Sequence, residues 1–170
     1  QGKVLDIGCG YGFMSYMLSF TSSQRTITGI DYDEEKIATA THCFSKTDAV
    51  NFVHTDVMNF TFEKYDAIIM ADILHYLQPN DQELVIEKCI ANLNPMGIII
   101  IREGNKDAVS KHKKTELTEI FSTRLFKFNK TSSKGLSFLS GNAVLITAAK
   151  YNMECKEITD SKITSNTIFV

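Results

Sequence analysis

The chain has 170 residues, 44% of them apolar, and a formal net charge of −2. That length and composition fit one globular domain with a core of its own, and the charge balance gives no general pull toward nucleic acid. No apolar run reaches the roughly 20 residues that cross a bilayer, and no signal-peptide pattern opens the chain. The four cysteines, Cys9, Cys43, Cys89 and Cys155, are scattered without metal-ligand spacing and read as reduced thiols of a cytoplasmic protein.

In chain order, strand and helix signals alternate. Residues 4–7 form a first strand that runs into Gly8-Cys9-Gly10-Tyr11-Gly12, and an amphipathic helix follows over 12–20. Residues 26–31 are rich in β-branched side chains and read as a second strand. Asp33 is placed to cap the next helix, whose first turn carries Glu34 and Glu35 and which runs to about Phe44. The third strand is 50–53, and the fourth is 65–70, almost continuously apolar as a strand covered on both faces should be. A helix beginning at Asn80 or Asp81 presents Val85, Ile86, Cys89, Ile90 and Leu93 on one face. Pro95 and Gly97 then punctuate before a fifth strand at 98–102.

The pattern changes beyond that point. Between 106 and 134 stand eight Lys or Arg and three acids, with Leu117, Ile120, Phe121 and Leu125 at helical spacing. Ser140 caps a further helix through about Tyr151, and 153–158 and 166–170 read as two final strands. No repeat or second domain is visible. Both ends read as cut, since Gln1 lies three residues before the first strand and Val170 lies inside an apolar run. The expectation is an excised domain of a longer protein.

The glycine turn identifies the chemistry. Glycines accept backbone conformations closed to other residues and let a ligand approach closely, and the following helix offers free N–H groups. The dinucleotide fingerprint Gly-x-Gly-x-x-Gly, counted from Gly8 and Gly10, needs a third glycine where Phe13 stands, so a nicotinamide-dependent oxidoreductase is set aside. The pattern Asp6-Ile7-Gly8-Cys9-Gly10-Tyr11-Gly12 instead resembles motif I of the class I S-adenosylmethionine-dependent methyltransferases. The resemblance covers essentially the whole chain. It implies an α/β, Rossmann-like, seven-stranded and mostly parallel sheet with helices on both faces and the last strand antiparallel.

Under that resemblance the cofactor is S-adenosyl-L-methionine and the product S-adenosyl-L-homocysteine, and each later motif sits where a strand ends. Asp31 closes the second strand, and its two carboxylate oxygens suit the ribose hydroxyls. Tyr32 lies against adenine, or packs. Asp56 resembles the acid that receives the adenine amino group, and Val57 supplies a backbone N–H to the ring. Ala71 and Asp72 line the methionine end. Asp6 orders the glycine turn, whose members Gly8, Cys9, Gly10, Tyr11 and Gly12 complete the cofactor set, or meets the ammonium group. His75, in Asp72-Ile73-Leu74-His75, has an ordinary pKa near 6.5 that suits a base, and in this family such a histidine also orients its loop. Tyr11, Tyr16 and Tyr76 close over the methyl group, bind acceptor, or pack. The four histidines, 42, 54, 75 and 112, have no cluster spacing, so no metal is expected.

The acceptor is the least legible part. The basic stretch with Lys111, His112, Lys113, Lys114, Arg124, Lys127 and Lys130 is a solvated face, or a dock for an anionic or carrier-bound acceptor. Phe121, Phe126, Phe128 and Phe138 line an apolar pocket or pack the core. An Asn-Pro-Pro-Tyr motif of base-methylating enzymes is absent at Ala71-Asp72-Ile73-Leu74, so no nucleic-acid partner is expected. The resemblance points to a small-molecule acceptor of lipid, quinone, polyketide or pigment type, methylated on oxygen, nitrogen or carbon. The alternative is a cofactor-binding module without catalysis that regulates or scaffolds a larger protein.

Overall fold

Strands and helices alternate as the sequence predicts in the computed structural model, which describes residues 2–109, 137–158 and 166–170. The strands are β1 (Gly2–Ile7), β2 (Arg25–Asp31), β3 (Val50–His54), β4 (Tyr65–Ala71), β5 (Leu93–Gly104), β6 (Glu157–Ile158) and β7 (Asn166–Phe169). The helices are α1 (Phe13–Thr21), α2 (Glu34–Thr41), α3 (Pro79–Ala91), α4 (Lys106–Val109) and α5 (Gly141–Lys150), and a single 3-10 turn spans Leu74–Tyr76. Together the strands make one seven-stranded sheet in the order β3-β2-β1-β4-β5-β7-β6. The first five pair in parallel, and β7, the last in sequence, runs antiparallel to both β5 and β6.

The central strands are apolar without a break because both faces of the sheet are covered. On β1, Val4 joins the cluster holding Tyr16 of α1 and Ile37 and Ala40 of α2. Its neighbour Leu5 joins the opposite cluster, with Val85 and Cys89 of α3 and Val144 of α5. Burial pushes the Cys89 thiol up to about 12, so it behaves as a small apolar side chain. Among the described residues, no helix is long and apolar enough to cross a membrane.

Local chemistry sets the helix starts. The Asp33 side chain accepts from Glu35 and Lys36 N–H, and Ser140 does the same for Ala143 N–H. The structure moves the start of α3 from the expected Asn80 or Asp81 to Pro79, whose fixed φ and missing N–H suit a first helical position. It also removes Leu93 from the face of α3. The helix closes at Asn92, and Leu93 opens β5 opposite Tyr65. Pro95 and Gly97 therefore lie inside the strand, where the pairing jumps from Tyr65↔Leu93 to Ala67↔Ile98 around Met96 at φ 65. The expected strand at 153–158 contracts to Glu157–Ile158, with Lys156 still exchanging backbone hydrogen bonds with Val170.

A polar bracket joins β5 to α5. Asn105 Oδ1 accepts from the N–H groups of Asp107 and Gly141, and Asp107 Oδ2 accepts from Ser140 Oγ and Asn142 N–H. Lys106 N–H donates to the Leu139 carbonyl at 3.0 Å. The helical spacing read at Leu117, Ile120, Phe121 and Leu125 falls outside the described residues, as do the basic positions 111–114, 124, 127 and 130 and the rings at 121, 126 and 128.

Candidate functional site

The direction of the strand order turns at β1: β2 and β3 extend to one side, β4 and β5 to the other. Open α/β sheets bind ligands in the crevice outside the carboxyl ends of the strands at such a point. A cleft of about 310 Å³ opens there. Its walls come from Gly8 and Gly10 after β1, Asp31 and Tyr32 after β2, Lys36 on α2, Thr55, Asp56 and Val57 after β3, and Ala71, Asp72, Ile73, Tyr76 and Leu77 after β4.

The glycine turn is pinned to β2. Gly8 and Cys9 N–H both donate to the Ile30 carbonyl, at 2.8 and 3.0 Å. Gly8 has φ 73, and a Cβ there would collide with Ile73. Gly10 has φ 53, and nothing lies within 4 Å of where its Cβ would be, so its backbone faces open space in the cleft.

Asp31 is the acid at the centre. It is 8% exposed, and Gly10 N–H donates to its Oδ2 at 2.8 Å while Asp33 N–H donates to Oδ1 at 2.9 Å. Each oxygen has more than one acceptor position, so the carboxylate can still receive two hydroxyls from a ligand. Beside it Tyr32 is half exposed, and the Tyr32 carbonyl lies 2.9 Å from His54 Nε2. Asp56 is exposed at the rim, where Oδ1 accepts from Met58 N–H at 2.8 Å. The lining carries three carboxylates (Asp31, Asp56, Asp72) and one ammonium, Lys36, which itself lies 3.7 Å from Asp33. With Asp72 paired to Arg102 and Lys36 beside Asp33, the carboxylates of Asp31 and Asp56 favour a cationic ligand.

Asp6, Cys9, Tyr11 and Gly12 are not among the lining residues. Asp6 is 3% exposed and accepts from Ser15 Oγ at 2.6 Å and from the Ser15 backbone. Gly12, the N-cap of α1, has no side chain to cap with, and Asp6 does that work from the neighbouring strand. Burial raises the Asp6 carboxyl to about 6, against the lowering effect of the Ser15 bonds. Cys9 is buried in the core cluster of α1 and α2, and burial pushes its thiol far up. Tyr11 is 60% exposed, and Tyr16 is buried with its hydroxyl donating to the Ala40 carbonyl at 2.6 Å.

The wall after β4 is held from behind by β5. Asp72 has φ 56, unusual for a residue with a Cβ. Its N–H donates to the Arg102 carbonyl at 2.8 Å, and its Oδ2 pairs with Arg102 Nη1. Glu103 is 1% exposed. Its Oε2 accepts from Leu74 N–H at 2.7 Å and His75 N–H at 3.3 Å; its Oε1 accepts from Gly104 N–H and lies 2.7 Å from His75 Nδ1. His75 is 2% exposed, has no partner at Nε2 among the described residues and is not among those lining the cleft. Its ring packs 4.2 Å from the Tyr76 ring and 6.5 Å from that of Phe138. Gln82 Nε2 closes the assembly with bonds to the carbonyls of Leu74, Leu77 and Ser137.

Sequence reasoning missed Lys36, Thr55, Ile73 and Leu77 in the lining, Arg102 beside it on β5, and Glu103 behind the turn after β4. Glu103 left a signal: an acid two positions after the apolar run at 98–101 sits where the strand is still buried, and a buried acid needs donors. Its donors come from residues 28 and 29 positions earlier, which spacing does not reveal.

Residues 4–97 match the family described as methyltransferase domain. The carboxy-S-adenosyl-L-methionine synthase of Campylobacter fetus is 29% identical over 104 residues, covering 61% of this chain and 44% of that protein. The chain spans about half the length of the curated relatives it matches. Among solved structures, an O-methyltransferase family protein from Burkholderia thailandensis superposes with a TM-score of 0.76 at 19% identity, over 99% of this chain and 50% of that one. The N-methyltransferase NodS of Bradyrhizobium japonicum, solved with S-adenosyl-L-homocysteine, gives 0.66 at 16% identity, over 98% and 74%. With the family matched across more than half of its length, and the seven-stranded sheet ending in an antiparallel strand, this chain belongs to the class I S-adenosylmethionine-dependent methyltransferases.

Proposed function

We propose that the cleft binds S-adenosyl-L-methionine and that the protein transfers its methyl group to an oxygen, nitrogen or carbon atom of a small-molecule acceptor. The observation that carries this reading is Asp31: a buried carboxylate at the centre of the cleft, held by Gly10 and Asp33 N–H, with acceptor positions to spare. The open space at Gly10 and the acidic lining suit the same ligand, whose sulfonium and ammonium are both cationic. Asp31 would hold the ribose hydroxyls. Tyr32 and Val57 would flank the adenine, with Asp56 at its amino group. Ala71 and Asp72 would take the methionine end beside Gly8 and Gly10.

When bound, the cofactor supplies a methyl group already activated on sulfur. The remaining work of the protein is to hold an acceptor in line with it and to keep water out, and such positioning supplies about 7–11 kcal/mol in favourable cases. His75 serves this from behind the wall: with Nδ1 committed to Glu103 it fixes the turn that carries Ile73, Tyr76 and Leu77. A base enters only where the acceptor must lose a proton. The acceptor is of the lipid, quinone, polyketide or pigment type, and the basic composition of 106–134 favours one that is anionic or carrier-bound. Four unpaired cysteines support a reducing compartment such as the cytoplasm.

Calorimetric titration with S-adenosyl-L-homocysteine, with NAD as control, tests the donor site. Micromolar binding of the first alone is expected, and its absence overturns the reading. Transfer of label from S-adenosyl-L-methionine to an acceptor tests turnover, and binding without transfer to any acceptor would leave a cofactor-binding module.

A further inference from the structure

We propose that Arg102 is the docking point for a carboxylate carried by the methyl acceptor. The inference rests on the reading of the cleft as the donor site and adds the chemical class of its second substrate.

The strand order gives the direction of approach. The residues suited to the nucleoside, Asp31 and Asp56, stand at the ends of β2 and β3, and those suited to the methionine end stand after β1 and β4. The next strand on that side is β5, whose residue Arg102 pairs in register with Ala71. An acceptor cannot reach the methyl group through the space the nucleoside takes, so it comes in over the end of β5.

Arg102 is prepared for an anion there. Its side chain is 44% exposed, and the Asp72 carboxylate engages it through Nη1 alone. Among the described residues, nothing bonds to Nη2 or Nε. Those two nitrogens form the edge of a guanidinium whose parallel N–H groups match the two oxygens of a carboxylate. Asp72 holds the opposite edge, and its own N–H is bonded to the Arg102 carbonyl, so the fork is oriented before a ligand arrives. The same Asp72 partly neutralises the guanidinium. A bare carboxylate therefore binds weakly, and the rest of the affinity comes from the body of the acceptor.

The test uses the chain labelled with ¹⁵N-arginine, whose three Nε–H signals report Arg25, Arg102 and Arg124 separately; Arg102→Gln assigns the relevant one. S-adenosyl-L-homocysteine is titrated first, then sodium benzoate, with benzamide as the uncharged counterpart and sodium phosphate as the non-planar anion. Benzoate is expected to move the Arg102 signal saturably, with a midpoint in the millimolar range and at least five times the shift given by benzamide. Arg25, whose Nη1 is bonded to the Leu18 carbonyl and Thr21 Oγ1, should stay still. The proposal is overturned if benzoate moves Arg102 no more than Arg25, no more than benzamide does, or no more than phosphate does. Failure of S-adenosyl-L-homocysteine to bind would instead remove the donor reading, and the benzoate series on the ligand-free chain would still report on Arg102.

Discussion

The carboxyl ends of β2 and β5 each carry a buried acid, and the two acids are used in opposite ways. Asp31 accepts two backbone N–H groups and lines the cleft. Glu103 receives Leu74, His75 and Gly104 N–H as well as the His75 ring, and is not among the residues lining the cleft. Its side chain is one methylene longer and reaches across to the turn after β4, where its acceptor capacity is filled by the protein itself. A buried carboxylate at a strand end is thus a ligand site or a keystone according to how many donors the fold has already brought to it. Asp6, at the end of β1, is a third case, bonded to Ser15 and turned toward α1.

The largest effect is expected where the protein has filled the acid. Glu103→Ala leaves three buried N–H groups and the His75 ring without their acceptor, and should cost about 3–5 kcal/mol of stability, since each buried donor left unmatched costs about 1–3 kcal/mol. Urea unfolding measures it; a loss no greater than that of Asp31→Ala would erase the distinction. Next comes Asp6→Asn. The folded-state pKa of Asp6, about 6, lies above its ordinary 3.8. The folded protein therefore holds that proton more tightly, and the resulting stability is complete below the ordinary pKa and lost as pH rises through the folded one. Keeping the group ionised at neutral pH costs about 3 kcal/mol, at 1.36 kcal/mol per pKa unit. The asparagine variant should gain up to that amount near neutrality and flatten the stability profile between about pH 4 and 6; an unchanged profile would mean that the acid is not the source.

Asp31→Ala should weaken S-adenosyl-L-homocysteine binding by about 1–3 kcal/mol, as expected for lost hydrogen bonds to a charged group. Glu103→Gln, which keeps the shape and one of the two acceptor oxygens, should leave that affinity closer to wild type, and calorimetry on the pair sharpens the contrast. The smallest effect belongs to Tyr32→Ala. A half-exposed ring loses only part of its stacking area, so a change of about 0.5–1.5 kcal/mol in the same titration is expected. No change at all would leave Tyr32 as packing.

What could be read from the sequence follows the range of the interaction. The end of β2, with Asp31 and the cap at Asp33, is local: an apolar strand, an acid, a cap and two glutamates within eleven residues. The end of β5 is not. Arg102 and Glu103 acquire their roles from Asp72, Leu74 and His75, about thirty residues away in sequence and adjacent only because β4 and β5 pair in parallel. The same distinction applies to Asp6, expected at the glycine turn or the ligand, whose partner Ser15 lies one helical turn into α1. His75 carried two readings because spacing could not show Glu103 behind it. The overlong helix face that took in Leu93 is the remaining kind of miss, a periodicity continued past a C-cap that tertiary pairing imposes.

The bracket at Asn105 bears on how such a protein changes over generations. Lys106 and Leu139 are bonded to each other, and Asn105 and Asp107 clasp the first turn of α5, so the chain leaves the sheet and returns to it at one place. Lengthening or rewriting the stretch between those two anchors moves neither end. A change of sequence or length between the two anchors is therefore expected to leave β1 to β4 and the cleft as they are, an exchangeable cassette mounted on a constant frame.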